Sequence, residues 1–408
     1  MKEILLESAG KSVNFARHCL EDCPNCGGRR AISSFVDFLG KPMLWHDFGP
    51  LEGPGWAANS LGGAYELLLF AIYMGDKECE RDALSLLYHS LNCGFIHEDG
   101  FIIPYRHLLE NRFCLNFKGN DDWFSPGAMA RVALQMLWIS DILGRDLSDY
   151  AIKCAKWISE NVEMAPNGWY PRRCKPDGSF YPYNAEGREL DPIRETSGDG
   201  SHILFLLSEL SLRGLADFKR EVEEKSELYM RKGGFLGSLN HDTYDKEENV
   251  SIAVGFRALL QVARLLKRED IRDFAYSLLR RLERFELKED RNRCATRGLL
   301  YMEDSWTTCY LWENAEAALA YISAYQDSGD LVYRKKAEEI LLACAKHHHG
   351  EYGFLTEGVD WENSVGRQHH IEEREFGDIK YTEPLLNNLH IVEPTMVLLQ
   401  MKDSDVKK

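Results

Sequence analysis

The feature that most constrains this chain is an internal repeat of helical hairpins running from one end to the other. Each unit reads as a helix, a short turn, a second helix, a glycine followed by an aromatic or aliphatic residue, and a long loop. First helices begin near Leu61, Pro126, Ser201, Val250 and Trp306. The turns fall at Gly75-Asp76, Gly144-Arg145, Arg213-Gly214, Lys267-Arg268 and Ser328-Gly329, and turns this short join antiparallel neighbours. Second helices run over 77–92, 146–163, 216–231, 269–286 and 330–348. They stop at Gly94, Gly168, Gly234, Gly298 and Gly353, because glycine readily takes the left-handed conformation that ends a helix. These marks recur roughly every 55–75 residues. Five hairpins are complete and a sixth is split: 2–20 has the place of a second helix and 385–401 that of a first. A ring closed by pairing the two termini leaves no open end.

The two helix types differ in composition. First helices are apolar nearly all round, as in ELLLFAIY, ARVALQMLW and HILFLLSEL, whereas second helices such as DFKREVEEKSELYMRK carry charge. A helix apolar on every side belongs inside and one with a charged stripe faces water. First helices are therefore expected to form an inner ring and second helices an outer one. No alternation of strands and helices is visible, so an all-α fold of one domain over 1–408 is expected, with short loop hairpins at 100–106 and 178–183.

This six-hairpin pattern resembles the (α/α)6 toroid superfamily of carbohydrate-active enzymes, over the whole chain. Its members include unsaturated glucuronyl hydrolases, other glycosidases, N-acylglucosamine 2-epimerases and toroidal polysaccharide lyases. The resemblance implies an active site in the cavity at the N-terminal rim of the inner helices. That rim receives every long loop: 21–58, 94–125, 165–198, 233–248, 287–304 and 350–383. Function concentrates on long loops held by a rigid scaffold.

The loops are rich in carboxylates, tryptophans and tyrosines. Sugar rings offer an apolar face to aromatic side chains and hydroxyls to carboxylates, and glycoside hydrolysis needs one protonated and one ionised carboxyl group. Asp122 is the lead acid/base candidate. Ser125 already caps the helix that Pro126 opens, so the Asp121-Asp122-Trp123 step is not needed for capping. The step is similar to one in the unsaturated glucuronyl hydrolases. Its catalytic partner is sought among Asp199, Glu303, Asp304, Glu357 and Asp360. Asp199 and Asp304 precede helices and have capping as their competing explanation. Trp56, Trp123, Trp306 and Trp361 are candidates to stack on sugar, with Asp121 and Tyr183 beside them. Arg172, Arg173 or Arg367 could bind a uronate carboxylate. His202 and His390 lie within inner helices, and His370 in the last loop. Paired cavity histidines would instead permit proton abstraction beside a carbonyl. His347-His348-His349 close an outer helix and read as surface residues.

With 49 basic against 65 acidic residues, the net charge is −16. Nucleic acid and anionic membrane are therefore not expected as partners. The charged N-terminus lacks the apolar core of a signal peptide, and no stretch reaches the ~18 apolar residues of a membrane span. Eleven cysteines scattered through helices read as reduced thiols of a cytoplasmic protein. Cys19, Cys23 and Cys26 offer three thiolates without a second CxxC half, so neither a metal nor any other cofactor is expected there. The first functional reading is a glycoside hydrolase acting on a short oligosaccharide. The rivals are a sugar epimerase or isomerase and a non-catalytic glycan-binding toroid.

Overall fold

The computed structural model describes residues 1–31, 35–37, 41–43, 50–184, 187–189, 197–237, 239, 245–365 and 376–401. Five long inner helices are α2 (Ser60–Met74), α4 (Pro126–Leu143), α6 (Gly200–Leu212), α8 (Asn249–Leu266) and α10 (Leu311–Ser328). The sixth inner position holds α12 (Leu386–Leu389) and α13 (Val392–Gln400). Around the ring α2 packs on α4, α4 on α6, α6 on α8, α8 on α10, α10 on α13 and α13 back on α2. The outer helices are α1 (Lys2–His18), α3 (Lys77–Asn92), α5 (Ser148–Asn161), α7 (Lys219–Lys232), α9 (Glu269–Leu282) and α11 (Leu331–Cys344). The fold is the (α/α)6 toroid, and α1 packs on α12 and α13 to close it as the repeat phase requires.

Local chemistry sets the hairpin ends. Ser125 accepts a hydrogen bond from the Ala128 amide at 3.1 Å, with Pro126 at the first helical position. Gly75, Gly144 and Gly329 end α2, α4 and α10 in the left-handed region. At the opposite rim the long loops bond to one another in sequence order. Strand β3 (Leu51–Glu52) pairs with β4 (Tyr105–His107), which pairs with β5 (Arg112–Cys114). Phe124 bridges Cys174, and Ser197 bridges Gly237. The Asn249 amide donates to Met302 at 2.9 Å. Strand β6 (Cys309–Tyr310) pairs with β7 (Gly358–Asp360), which pairs with β8 (Gly377–Asp378), and Val36 bridges Thr382 to return to the first loop. A short hairpin of β1 (Leu20–Asp22) and β2 (Arg29–Ala31) follows α1.

Several boundaries differ from the sequence reading, each for a tertiary reason. The fifth inner helix begins at Leu311, not near Trp306, because Cys309 and Tyr310 are taken up in β6. The last inner helix is split at His390-Ile391. Pro394 has no amide to donate to the His390 carbonyl. By length and composition α8 could cross a membrane, but it lies mostly buried in the inner ring. His347 and His348 are not surface residues. His347 Nδ1 is 2.8 Å from Asp378 Oδ1 and its Nε2 3.0 Å from the Ala295 carbonyl, while His348 Nε2 is 2.8 Å from Ser8 Oγ on α1.

The inner helices meet in a buried charge cluster. Both nitrogens of His390 face carboxylates, Nδ1 at 2.9 Å from Glu66 on α2 and Nε2 at 3.0 Å from Glu316 on α10. Arg257 on α8 pairs with Glu316 at 2.7 Å and lies 4.0 Å from Glu393 on α13. Arg131 on α4 lies 3.3 Å from His390. Three cationic groups thus face three acidic ones from five inner positions. Burial opposes charge on His390, but Glu316 and Glu66 outweigh it and raise the imidazole to about 9.

Because this folded value lies above the ~6.5 of an unfolded histidine, the cation stabilises the ring fully below about pH 6.5, and that stabilisation disappears as pH rises through about 9. Urea unfolding at about pH 6 and about pH 10 should show a larger loss for the native chain than for His390→Gln. Equal losses in the two proteins would show that the imidazolium does not hold the ring.

Candidate active site

The rim encloses a small pocket with about 70 Å³ of free space. Its described lining joins Trp56 and Tyr105 from the β3–β4 region, Asn116, Phe117 and Trp123 from the second loop, Arg172 and Arg173 from the third, and Arg131, Asp199 and His202 from the inner helices or their starts. Most of this wall is apolar and includes five aromatic rings, with Asn116, Ser125, Asp199, His202 and three arginines as its polar groups.

Helix starts position the polar groups. Asp199 precedes α6 but makes no capping bond with its side chain. Instead the Ser125 hydroxyl, at the start of α4, donates to Asp199 Oδ2, and His202 Nδ1 lies 3.7 Å from Asp199 Oδ1. Gly127 permits this approach: a Cβ there would sit 2.5 Å from the Asp199 Cγ. Burial pushes the Asp199 carboxyl up, but His202, Arg172 and Ser125 outweigh it and hold it below the ordinary carboxylate value. The cavity therefore presents an ionised carboxylate beside a buried imidazole. Capping does not account for Asp199.

Aromatic groups form the opposing wall. The Arg173 guanidinium lies over the Trp123 ring at 4.5 Å, and Phe117 meets that ring edge-on at 5.3 Å. Trp56 meets Trp312 at 5.3 Å, and Trp312 in turn covers His390 at 6.3 Å. Arg131 lines the cavity and also belongs to the charge cluster, so the cluster forms part of the floor. His390 itself lies behind Arg131, between its two carboxylates, rather than opposite His202.

Six sequence candidates meet at the cavity: Trp56, Trp123, Arg172, Arg173, Asp199 and His202. The expectation that Asp122 faces it is corrected. Asp122 is exposed beside Tyr181, outside the described lining. Freedom from a capping duty did not determine where the side chain points. Asp121 is exposed too, accepting from the Leu115 amide at 3.2 Å and lying 3.6 Å from Arg112. Tyr183 is exposed and meets Tyr181 edge-on. Asp304 is an outer-surface partner of Tyr301 and Arg284, at 3.1 and 3.4 Å. Asp360 holds backbone, accepting from the Ser364 and Val365 amides at 2.7 and 3.1 Å. Glu303 is buried and accepts from the Ser305 hydroxyl at 2.9 Å. Trp306 donates to the Tyr310 hydroxyl at 3.1 Å, and Trp361 packs against the main core. Arg367 and His370 lie outside the described residues.

Glu357 differs from the other loop carboxylates. It is half-buried, and loss of solvation pushes it up to about 8. Glu383 is raised further by burial and by the neighbouring Glu357 charge, against the pull of Arg131. At neutral pH Glu357 is therefore largely protonated. The sequence reading missed the inner-ring residues Arg131, Glu66 and Glu316. Their signal was a charged residue inside otherwise apolar helices, as in AYELLL and NAEAALAY.

Solved structures share this fold at low identity. The chain is similar to a sugar epimerase from a ruminal bacterium, with a TM-score of 0.65, 14% identity, and 98% and 99% of the two chains covered. It is similar to cellobiose 2-epimerase from Bacillus thermoamylovorans B4167 at 0.64 and 12%, covering 96% of this chain and 99% of that one. A possible member of the GH105 family from Salmonella enterica aligns at 0.52 and 11%, covering 98% and 93%. No family model matches the chain, and no curated protein does.

Gly127→Ala should force α4 and Asp199 apart. The expected loss is about 1–3 kcal/mol, read as a lower Tm. An unchanged Tm would mean that the start of α4 can yield without disturbing Asp199.

Proposed function

We propose that this protein is a carbohydrate-processing enzyme that moves a proton beside the carbonyl of a small open-chain sugar, as an epimerase or isomerase. The observation that carries this reading is the imidazole–carboxylate pair in an aromatic cavity. His202 is placed to take the proton from the carbon beside the carbonyl and deliver it to the neighbouring carbon, or to the opposite face of the same carbon once the enediolate has turned. Asp199, held ionised 3.7 Å from the His202 Nδ1, balances the charge of the protonated ring. Trp56, Trp123 and Phe117 would meet the apolar faces of the sugar. Arg131 and Arg172 add positive potential that favours a developing enolate oxygen. The structural likeness to a cellobiose 2-epimerase and another sugar epimerase supports the same direction.

One observation favours glycoside hydrolysis as the second reading. Glu357, raised to about 8, is a carboxyl able to donate a proton to a leaving oxygen at neutral pH. Glu357 itself lies outside the described lining of the cavity that holds Asp199.

The two chemistries leave different marks in heavy water. Incubation with aldoses, ketoses and disaccharides, followed by NMR, should show deuterium entering at the carbon beside the carbonyl while glycosidic bonds stay intact. His202→Gln should slow that exchange by about 10²–10⁴-fold without unfolding the chain. Release of new reducing ends without exchange, abolished by Glu357→Gln, would replace the first reading with the second.

A further inference from the structure

The turn between β1 and β2 has the sequence Cys23-Pro24-Asn25-Cys26-Gly27-Gly28. Its backbone folds tightly. The Cys23 amide donates to the Gly28 carbonyl at 2.7 Å, and the Asn25 amide points at Cys23 Sγ at 3.5 Å. The turn is pressed against the end of α3, where a Cβ on Gly28 would lie 2.7 Å from the Ser85 carbonyl oxygen. At that end His89 and Cys93 are four residues apart, and so share one helix face. Cys23 Sγ lies 3.5 Å from Cys93 Sγ, and Cys26 Sγ 3.7 Å from His89 Nδ1. One ligand atom from each of the four residues lies within 4.8 Å of all the others.

We propose that Cys23, Cys26, His89 and Cys93 form a structural zinc site. A tetrahedral zinc ion with Zn–S bonds of about 2.3 Å and a Zn–N bond of about 2.0 Å holds its ligand atoms roughly 3.5–3.8 Å apart. The two close pairs already have that spacing, and a small contraction brings in the rest. Three thiolates and one imidazole are soft and borderline donors that select zinc over magnesium or calcium. Four protein ligands leave no open position for a substrate, so the role is structural. The sequence expectation of no metal rested on a missing ligand set. His89 and Cys93, more than sixty residues away, complete it, whereas Cys19 packs with Phe15 and Phe354 instead.

The surroundings fit a bound cation complex. His89 is fully buried, and its Nε2 has no hydrogen-bond partner but lies 3.8 Å from Glu52 Oε2. With Nδ1 on the metal, Nε2 carries the proton and faces that carboxylate, the arrangement by which a second shell orients a ligating histidine. Three thiolates on a divalent ion leave one negative charge. Arg106 lies 3.9 Å from Cys23 Sγ and pairs with Glu52, which Arg30 also meets at 2.9 Å. Glu52 lies in β3, four residues before Trp56, so the metal would brace the cavity wall from behind without touching substrate.

The chain purified under reducing conditions should contain one zinc per chain by elemental analysis. Cys26→Ser and Cys93→Ser should abolish it, while Cys19→Ser keeps it. Replacing the metal with cobalt(II) should give the visible absorption of a tetrahedral thiolate complex, a readout independent of whether a variant folds. Chelation should lower the Tm of the native chain. Three results overturn the assignment: iron at one per chain with zinc absent, a Cys23–Cys93 disulfide in the isolated protein, or a reduced chain that takes up neither zinc nor cobalt.

Discussion

The ring depends on the charges buried at its axis. Removing an ion from water costs several kcal/mol even after relaxation, and the cost is recovered only if every charge meets a partner in good geometry. His390 meets Glu66 and Glu316, and Arg257 meets Glu316, only when α2, α8, α10 and the His390 segment all point inward at set angles. Hydrophobic packing alone would tolerate some rotation of each helix about its axis. A carboxylate bonded to a specific imidazole nitrogen does not. The cluster therefore fixes the rotational setting of the inner ring, and with it the direction in which each helix start presents its side chains to the cavity.

That setting fixes the part of the polar site that stands on the inner helices and their starts, namely Ser125, Arg131, Asp199 and His202, while Asn116, Arg172 and Arg173 come from the loops. Asp199 and Ser125 lie at the mouths of two adjacent inner helices, so their separation follows from helix packing. Arg131 belongs both to the cluster and to the cavity wall, which makes the floor as rigid as the axis. The loops supply the aromatic surface. Each loop is hydrogen-bonded to the next around the rim, so Trp56, Trp123 and Phe117 are held by a belt of short strands and bridges. Positioned in this way, the groups have little reorganisation left to do when a substrate enters.

The hairpin repeat was legible because its marks are local. A capping serine before Pro126 and glycines at 75, 144 and 329 act through backbone chemistry within one turn. The start of α10 was not legible, because β6 forms only when residues 358–360 arrive beside it. The same division runs through the site. Asp199 and His202 could be found because they flank a recognisable helix start. Asp122 was misplaced because an argument that a residue is not needed for a cap does not say which way it faces. Glu66 and Glu316 passed unnoticed because one charge in an apolar helix has no meaning until its partners, up to 324 residues away, are known.

The metal ligands were hidden for the same reason, and their place in the ring has a physical logic. Five inner helices are joined to an outer neighbour by a short covalent turn. The sixth pair, α13 with α1, comes from opposite ends of the chain and, among the described residues, is held by packing. Loop-closure entropy that the other hairpins settle within a few residues must here be met over the whole chain. Links from α1 and the segment after it to α3 anchor α1 to the ring on the other side of this seam. Asp82 on α3 supplies one, accepting from Arg17 of α1 and from Arg29 of β2, each at 2.6 Å. A zinc ion held by Cys23 and Cys26 on one side and by His89 and Cys93 on the other would supply a second. It would bind the segment that follows α1 to α3, which is itself joined to α2 by a tight turn. Through Glu52 the same clip meets β3, so the α1 side of the seam and the Trp56 wall of the cavity would be secured together.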